Sequence, residues 1–229
     1  TESTFGTTPA GNFQNIPFTS HGLNLTKDLV AGTDIQSDRM PRHERHGNKQ
    51  SAGDIVADLR KADYDPFIES AMLSTWAADV IKVGTTPKYF SIQDYSADID
   101  QARLFSGQTV STMGFSIAPN QMITTTFGMV GKGMSMSASE AVTVTAASTN
   151  SPFDSYSGDL KIGNSGGTLT SAPIITQIDF TVANSFAPTF VVGDSETPAL
   201  EVGRAEVTGS FSAYFQDDSL INRFLNETE

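Results

Sequence analysis

The sequence predicts a mainly β protein with one or two helices, an α+β chain built as a barrel or sandwich with a helix on its flank. Two patterns carry that prediction. From residue 78 onward the chain is a series of short runs rich in Thr, Val, Ile and Phe: KYFSIQDY, QTVSTMGFSIA, QMITTTFGMVG, EAVTVTAA, DLKIG, PIITQIDFTVAN and ALEVGRAEVTGSFSAYF, separated by Gly, Pro, Asn and Ser. Before them stands one helix signature, YDPFIESAML, with Asp65 as N-cap, Pro66 at the first helical position and Phe67, Ile68, Ala71 and Met72 at helical spacing. The 229 residues suffice for one large β domain or two small ones, and no internal repeat is evident.

Residues 1 to 15, rich in Thr, Gly, Asn and Pro without periodicity, read as an extended arm. Residues 16 to 32 alternate loosely and lead into TDIQSDRMPRHERHGNKQSAGD, which is polar and holds Pro41 and Gly47. The stretch 33 to 53 therefore reads as a long exposed loop or a two-stranded hairpin standing off the body, and loops of that length are usually functional or disordered. GDIVADLR places Ile55, Ala57 and Leu59 on one face of a strand. Residues 148 to 171 turn rich in Ser, Gly and Asn and read as loops around one or two short strands. A second helix is predicted for DDSLINRFLN, capped by Asp217 or Asp218, with Leu220, Ile221, Phe224 and Leu225 on its apolar side.

Charge is distributed unevenly. Lys27, Arg39, Arg42, Arg45, Lys49, Arg60 and Lys61 are seven of the fourteen basic residues, so residues 1 to 61 are formally neutral and the rest of the chain carries the whole net charge of −12. A basic protruding segment on an acidic body can attract copies of itself, which points to assembly. The pI near 4.5 argues against tight binding to duplex DNA, where affinity comes mainly from neutralising phosphates. With no cysteine, disulfides and thiolate metal sites are excluded. No segment approaches the roughly 18 to 20 continuous apolar residues of a membrane-spanning helix.

Three stretches invite a catalytic or metal reading. GNSGG at 163 to 167 resembles the nucleophile segment of trypsin-like proteases, with Ser165 as nucleophile, Gly163 near the oxyanion hole, and His43 or His46 followed by Asp94 or Asp98 in the order of a triad. Both histidines, however, lie among Arg39, Arg42 and Arg45, whose charges disfavour protonation of a general base, and Gly-Asn-Ser-Gly-Gly is ordinary turn chemistry. HERH at 43 to 46 spaces its histidines three apart between Pro41 and Gly47, so it lacks the helical face of a zinc HExxH site; a site from His43, His46 and Asp38 is the remaining metal alternative. Asp94, Asp98 and Asp100 lack the spacing of an EF-hand calcium loop. Met113, Met122, Met129, Met134 and Met136 lie on predicted strands and read as core or interface. No enzyme activity, cofactor or metal is expected.

The segments PFTSHGLNLTKD, SDRMPRHERHGNKQSAGDIVADL, YDPFIESAMLSTW, SIAPNQMITTTFGMVGKGM, SPFDSYSG, PALEVGRAEVTGSFSAYFQDDSLINRF and NETE, in collinear order over almost the whole chain, resemble the tail tube proteins of long-tailed bacteriophages. The resemblance implies a single domain over 1–229, similar in fold to the tube protein of type VI secretion. It implies hexameric rings whose inner strands join into one barrel, stacked into a conduit through which DNA passes in transit. It further implies a place in the virion tail after assembly in the bacterial cytoplasm. The implied partners are other copies, the tail terminator, the tape-measure protein and the baseplate or distal tail proteins, with no membrane. On this reading the 33–53 loop reaches the next ring through Asp38, Arg39, Arg42, His43, Glu44, Arg45, His46 and Lys49, while Phe67, Ile68, Met72 and Trp76 pack the flanking helix. Family members continue past the NET segment with further strands, which are expected to be absent here. The alternatives are a tube protein of a contractile injection or secretion device, and a monomeric β-sandwich binding module.

Overall fold

Strands form where β-branched and aromatic side chains alternate with small polar ones, and this chain has many such runs. The computed structural model describes residues 1–34, 37–38, 40, 43–137, 140, 144–163, 167–171, 174–215 and 218–226. Its elements in chain order are β1 (Phe13–Gln14), β2 (Ser20–His21), β3 (Asn24–Val30), β4 (Arg45–Asp58), α1 (Asp65–Met72), β5 (Phe90–Ser96), β6 (Gln101–Ile117), β7 (Thr124–Gly131) and β8 (Gly133–Ser137). There follow β9 (Val144–Thr145), β10 (Lys161–Ile162), β11 (Thr170–Ser171), β12 (Ile175–Ala183), β13 (Ala187–Thr189), β14 (Ala199–Glu201), β15 (Glu206–Ala213) and α2 (Ser219–Leu225).

The main sheet runs in the order β15-β12-β6-β7-β4, with β2 and β3 both on the far side of β4, and every pairing in it is antiparallel. The change from β3 to β2 along one edge of β4 depends on Gly53 (φ 149°), where a Cβ would collide with the Gly22 carbonyl. Strand β6 is long enough to serve two sets of neighbours. Its first half pairs with β5 and β8 and its second with β7 and β12. The switch falls at Gly107 (φ 65°), which also leaves room for the Phe5 ring, and the Lys132 N–H between β7 and β8 donates to the Ser106 carbonyl at 3.1 Å. Among the described residues no pairing joins β15 to β2 or β3, so the chain's own sheet is open and the barrel expected from the resemblance is not closed within one copy.

The core lies between the main sheet, β5 and α1. Phe67 of the helix packs edge-on against Phe90 and Phe127, each at 5.2 Å, and Tyr64 joins them at 5.7 Å from Phe127 while its hydroxyl donates to the Pro17 carbonyl at 2.7 Å. Each large apolar side chain so buried contributes about 1.5–3 kcal/mol. Burial pushes the Tyr64 phenol up; Asp63 and Asp58 add to that rise, and Arg60 opposes it. A polar clamp fixes the helix to the sheet: the Ser70 hydroxyl lies 3.1 Å from both the Lys88 carbonyl and the Thr109 hydroxyl and accepts the Val110 N–H at 3.2 Å. That N–H sits where the β6–β7 register shifts, between Val110 and Thr112.

Several expectations need correction. Tyr64, not Asp65, occupies the N-cap of α1; Asp65 is already helical and no side chain caps the end. Burial of the Tyr64 ring fixes that entry geometry. Trp76 follows the helix in sequence rather than belonging to it. It lies beyond it, 36% exposed, with its backbone N–H donating to Glu69. Residues 1–15 are docked on the chain's own body: the Glu2 carboxylate accepts from the Gly6 and Gly107 N–H groups and the Ser91 hydroxyl, and Phe5 packs edge-on against Tyr89. Of the two readings of 33–53, the loop does not hold from Arg45 on: Arg45–Ala52 are strand and pair with β3. Within EAVTVTAA only Val144–Thr145 are described as strand, paired in parallel with β1.

Candidate assembly surfaces

In an antiparallel sheet, cross-strand partners point to the same face, so the register of five strands reads out two surfaces. One is the core face, carrying Ile55, Phe127, Met113 and Val182 in line. The other turns away from the core and consists of three continuous rungs from β4 to β15. They are Asp58, Thr124, Ser116, Asp179, Ser210; then Val56, Thr126, Gly114, Thr181, Thr208; then Asp54, Gly128, Thr112, Ala183, Glu206. Hydroxyl-bearing and small residues dominate it, with four carboxylates, and no Lys or Arg occurs anywhere in β7, β12, β15, residues 50–58 or residues 112–117. The surface is held stiffly. The Ser116 hydroxyl donates to Asp179 at 2.6 Å, Gln177 donates to the other oxygen of the same carboxylate at 2.6 Å, and a Cβ on Gly128 would collide with the Thr112 hydroxyl.

The two edges of this sheet are exposed. At one end β15 is exposed along almost its whole length. At the other, β3 is exposed over Thr26–Val30 and forms a two-stranded ribbon with Arg45–Ala52 of β4. Next to that ribbon His43 has φ 64°, and His43, Glu44, Arg45 and His46 are exposed. Asp38 accepts the Met40 N–H at 3.2 Å. Arg39 and Arg42 lie outside the described residues. Lys49 departs from the expectation of a base that meets a neighbour: its ammonium is 2.9 Å from Glu196 and its N–H donates to the Ser195 carbonyl at 2.8 Å, so it fastens the 190–198 loop of its own chain.

Among the described residues, those of the catalytic and metal readings are not assembled. Ser165 lies outside the described residues. Asp94 is paired with Arg103, which donates through Nε at 2.9 Å, and lies 3.6 Å from His21 rather than beside His43 or His46. Asp100 accepts the Tyr95 hydroxyl at 3.0 Å, which raises the Tyr95 pKa. Among the described residues no three His, Asp or Glu side chains are grouped to hold a metal. Phe67 is buried, with Ile68 and Met72 packed beside it.

Sequence reading missed the polar face because it is a property of register. Thr124, Ser116, Asp179 and Ser210 are far apart in the chain, and only the pairing puts them in one row. The alternation in each run was the available signal. A family model described as phage tail tube protein matches residues 1–229. No curated protein matches the sequence.

Proposed function

The chain belongs to the phage tail tube protein family, a structural component of the virion tail that assembles with other tail proteins, and we propose that its copies close into hexameric rings that stack into the conduit for DNA. The observation that carries this reading is the base-free polar face of the main sheet. Duplex DNA binds proteins chiefly by exchanging counterions for Lys and Arg, so a wall with Asp54, Asp58, Asp179 and Glu206 and no base gives phosphate nothing to hold. Ser, Thr, Gly and Ala keep that wall low and hydrated. We assign this face to the lumen.

The open edges supply the ring. An exposed strand edge is a template for pairing, and a head-to-tail contact between unlike edges closes into a ring when the rotation closes. The β15 edge of one copy meets the β2/β3 edge of the next, which extends the three rungs around the lumen. The β3–β4 ribbon, with Asp38, His43, Glu44, Arg45 and His46 together with Arg39 and Arg42 of the connecting segment, reaches the neighbouring ring. Each exposed ion pair there contributes about 0–1 kcal/mol, and repetition along the tube sets register. Tail terminator, tape-measure and baseplate proteins meet the ends and interior of such a tube.

The absence of native cysteine makes the test direct. Thr126→Cys, at the centre of the wall, and Tyr156→Cys, 87% exposed, are assembled into tubes verified by negative-stain electron microscopy. A small maleimide is expected to label both. A maleimide on a bulky dextran is expected to label only the Tyr156 variant in tubes, and both in dissociated protein. Equal dextran labelling of both in tubes rejects the assignment of the face, and a chain that forms neither rings nor tubes at any concentration or salt rejects the tube.

A further inference from the structure

The core face of the main sheet does not stop where the core stops. Following the register outward from β6 gives Met113, Val182, Val207 in one row; Phe115, Phe180, Gly209 in the next; and Ile117, Ile178, Phe211 in the third. On β6 and the inner part of β12 this surface is covered: Met113 and Val182 are 4% and 5% exposed and belong to the core. On β15 it is bare, with Val207 65% and Phe211 54% exposed. Phe180 lies at the boundary, stacked on Phe115 with ring centroids 4.8 Å apart and 37% exposed. Strand β15 thus has the alternation of a strand buried on one face, Val207, Gly209, Phe211 and Ala213 against Glu206, Thr208, Ser210 and Ser212, while its apolar side faces solvent. Contiguous exposed apolar surface of this kind marks a contact site.

We propose that this shelf is completed by a second copy of the same chain, which seats the apolar end of its β2–β3 edge on Val207, Phe211 and Phe180. The inference rests on the tube reading and deepens it: it names the apolar anchor of the contact between neighbours in a ring. Three features select that occupant. Among the described residues the shelf ends on an unpaired strand edge, where a cover that brings a strand edge of its own can pair. The opposite end of the sheet offers one, together with exposed apolar side chains: Phe18 at 56%, Leu29 at 62% and Val30 at 56%. The charges also match. β12, β14 and β15 carry Asp179, Glu201 and Glu206, with Arg204 alone between the last two strands, whereas β3 and the start of β4 expose Lys27 and Arg45 against Asp28, with Glu44 just before Arg45. The two ends of one sheet are therefore unlike and complementary, which is what a head-to-tail contact requires and a two-fold one does not.

The full-length protein is compared with Val207→Ser/Phe211→Ser and with Phe211→Leu by sedimentation and electron microscopy across concentration, with circular dichroism on each. The double variant is expected to keep the wild-type spectrum and to raise the concentration needed for rings by at least about tenfold, and the leucine variant to assemble near the wild-type concentration. Phe211→Cys supplies an independent readout: its thiol is expected to be alkylated in dissociated protein and protected in rings, and paired with Leu29→Cys to cross-link neighbouring copies on oxidation. Rings from the double variant at the wild-type concentration, or a Phe211→Cys thiol still reactive in assembled rings, overturn the shelf contact and leave the tube reading intact. A wild-type chain that never forms rings removes both. If the double variant loses its fold, the Phe211→Cys accessibility alone decides.

Discussion

Ser70 tests how the flanking helix is held to the sheet. Its hydroxyl is fully buried, lies 3.1 Å from the Lys88 carbonyl and the Thr109 hydroxyl, and is the acceptor for the Val110 N–H at 3.2 Å. Ser70→Ala removes one oxygen and leaves almost no cavity, so the polar partners set the effect. The Thr109 hydroxyl can rotate to another partner. The Val110 N–H cannot, because it sits at the register shift of the β6–β7 pair, and leaving a buried donor unsatisfied costs about 1–3 kcal/mol. The better helix propensity of Ala returns at most about 0.5 kcal/mol. The net expectation is a loss of about 1.5 kcal/mol. With a urea slope of about 2 kcal/mol/M, typical of such a domain, the midpoint falls by about 0.75 M at unchanged slope. The measurement is urea unfolding followed by circular dichroism at a protein concentration below assembly, since oligomers add concentration-dependent stability. Thr109→Val is the companion, expected to lower the midpoint by less than Ser70→Ala because Ser70 keeps two partners. A shift below about 0.25 M for Ser70→Ala, or a larger one for Thr109→Val, refutes the view that Ser70 holds the helix through the Val110 N–H.

Three further outcomes are expected. Phe127→Ala empties the centre of the Tyr64–Phe67–Phe127 cluster and costs about 3–5 kcal/mol, read as a lower urea midpoint; a loss under about 1.5 kcal/mol shows that the site collapses around the gap. Burial would raise the Glu69 carboxyl, but the Lys88 hydrogen bond at 2.5 Å, the Trp76 N–H and the Lys88 charge outweigh it, so its pKa lies below the usual 4.5. Its contribution to stability is then present above pH 4.5 and lost as pH falls through the depressed value, so the stability gap between wild type and Glu69→Gln should be widest near neutrality and close in acid; a gap that is flat from about pH 7 to about pH 3 contradicts the pairing. Asp54→Lys with Asp58→Lys reverses two of the four wall carboxylates, and tubes of this variant should retain duplex DNA with a salt dependence of up to about 0.9 log units per phosphate neutralised, where wild-type tubes retain none; equal retention by both, or none by the variant, sinks the proposed role of the wall charge.

What was legible in the sequence was local. The YDPFIESAML helix and the strands at QMITTTFGMVG and PIITQIDFTVAN appear where alternation and helical spacing put them, because each pattern is satisfied by neighbours a few residues away. GMSMS was not legible as a separate strand: β8 takes its conformation from pairing with the first half of β6, itself a strand longer than its apolar run. The polar run RHGNKQSA reads equally as loop or hairpin because its pattern names no buried face, and backbone pairing with β3 is what makes Arg45–Ala52 strand. Glu2 is the same kind of case at greater range. A carboxylate two residues into the chain carries no local signal that it will bind the Gly107 N–H, and that contact docks a segment whose composition suggests a free arm. Lys49 shows the limit of charge counting: a base within a basic segment can be committed to its own chain, here to Glu196.

The placement of the wall carboxylates bears on how a ring of this chain would treat DNA. Asp54 and Asp58 stand on β4, Asp179 on β12 and Glu206 on β15, while β7 and the second half of β6 between them are uncharged on that face. From β4 to β12 is three strand steps, about 14 Å at roughly 4.8 Å each, and salt screens charge over about 8 Å at physiological strength. The fields of the two acidic columns therefore just overlap across the neutral strands. In the proposed ring, β15 of one copy adjoins the β2/β3 edge of the next, so the acidic columns recur around the whole circumference at similar spacing. Such a wall repels phosphate weakly and evenly, with no deep minimum at any point where a strand of DNA would stall. A single strong cluster of the same four charges would attract counterions to one place and leave the remainder of the wall neutral. Distribution across the rungs is thus the property to test, and moving the Asp179 charge two strands over to β7, beside the β4 acids, as Asp179→Ser with Thr126→Asp, keeps the net charge while breaking the spacing.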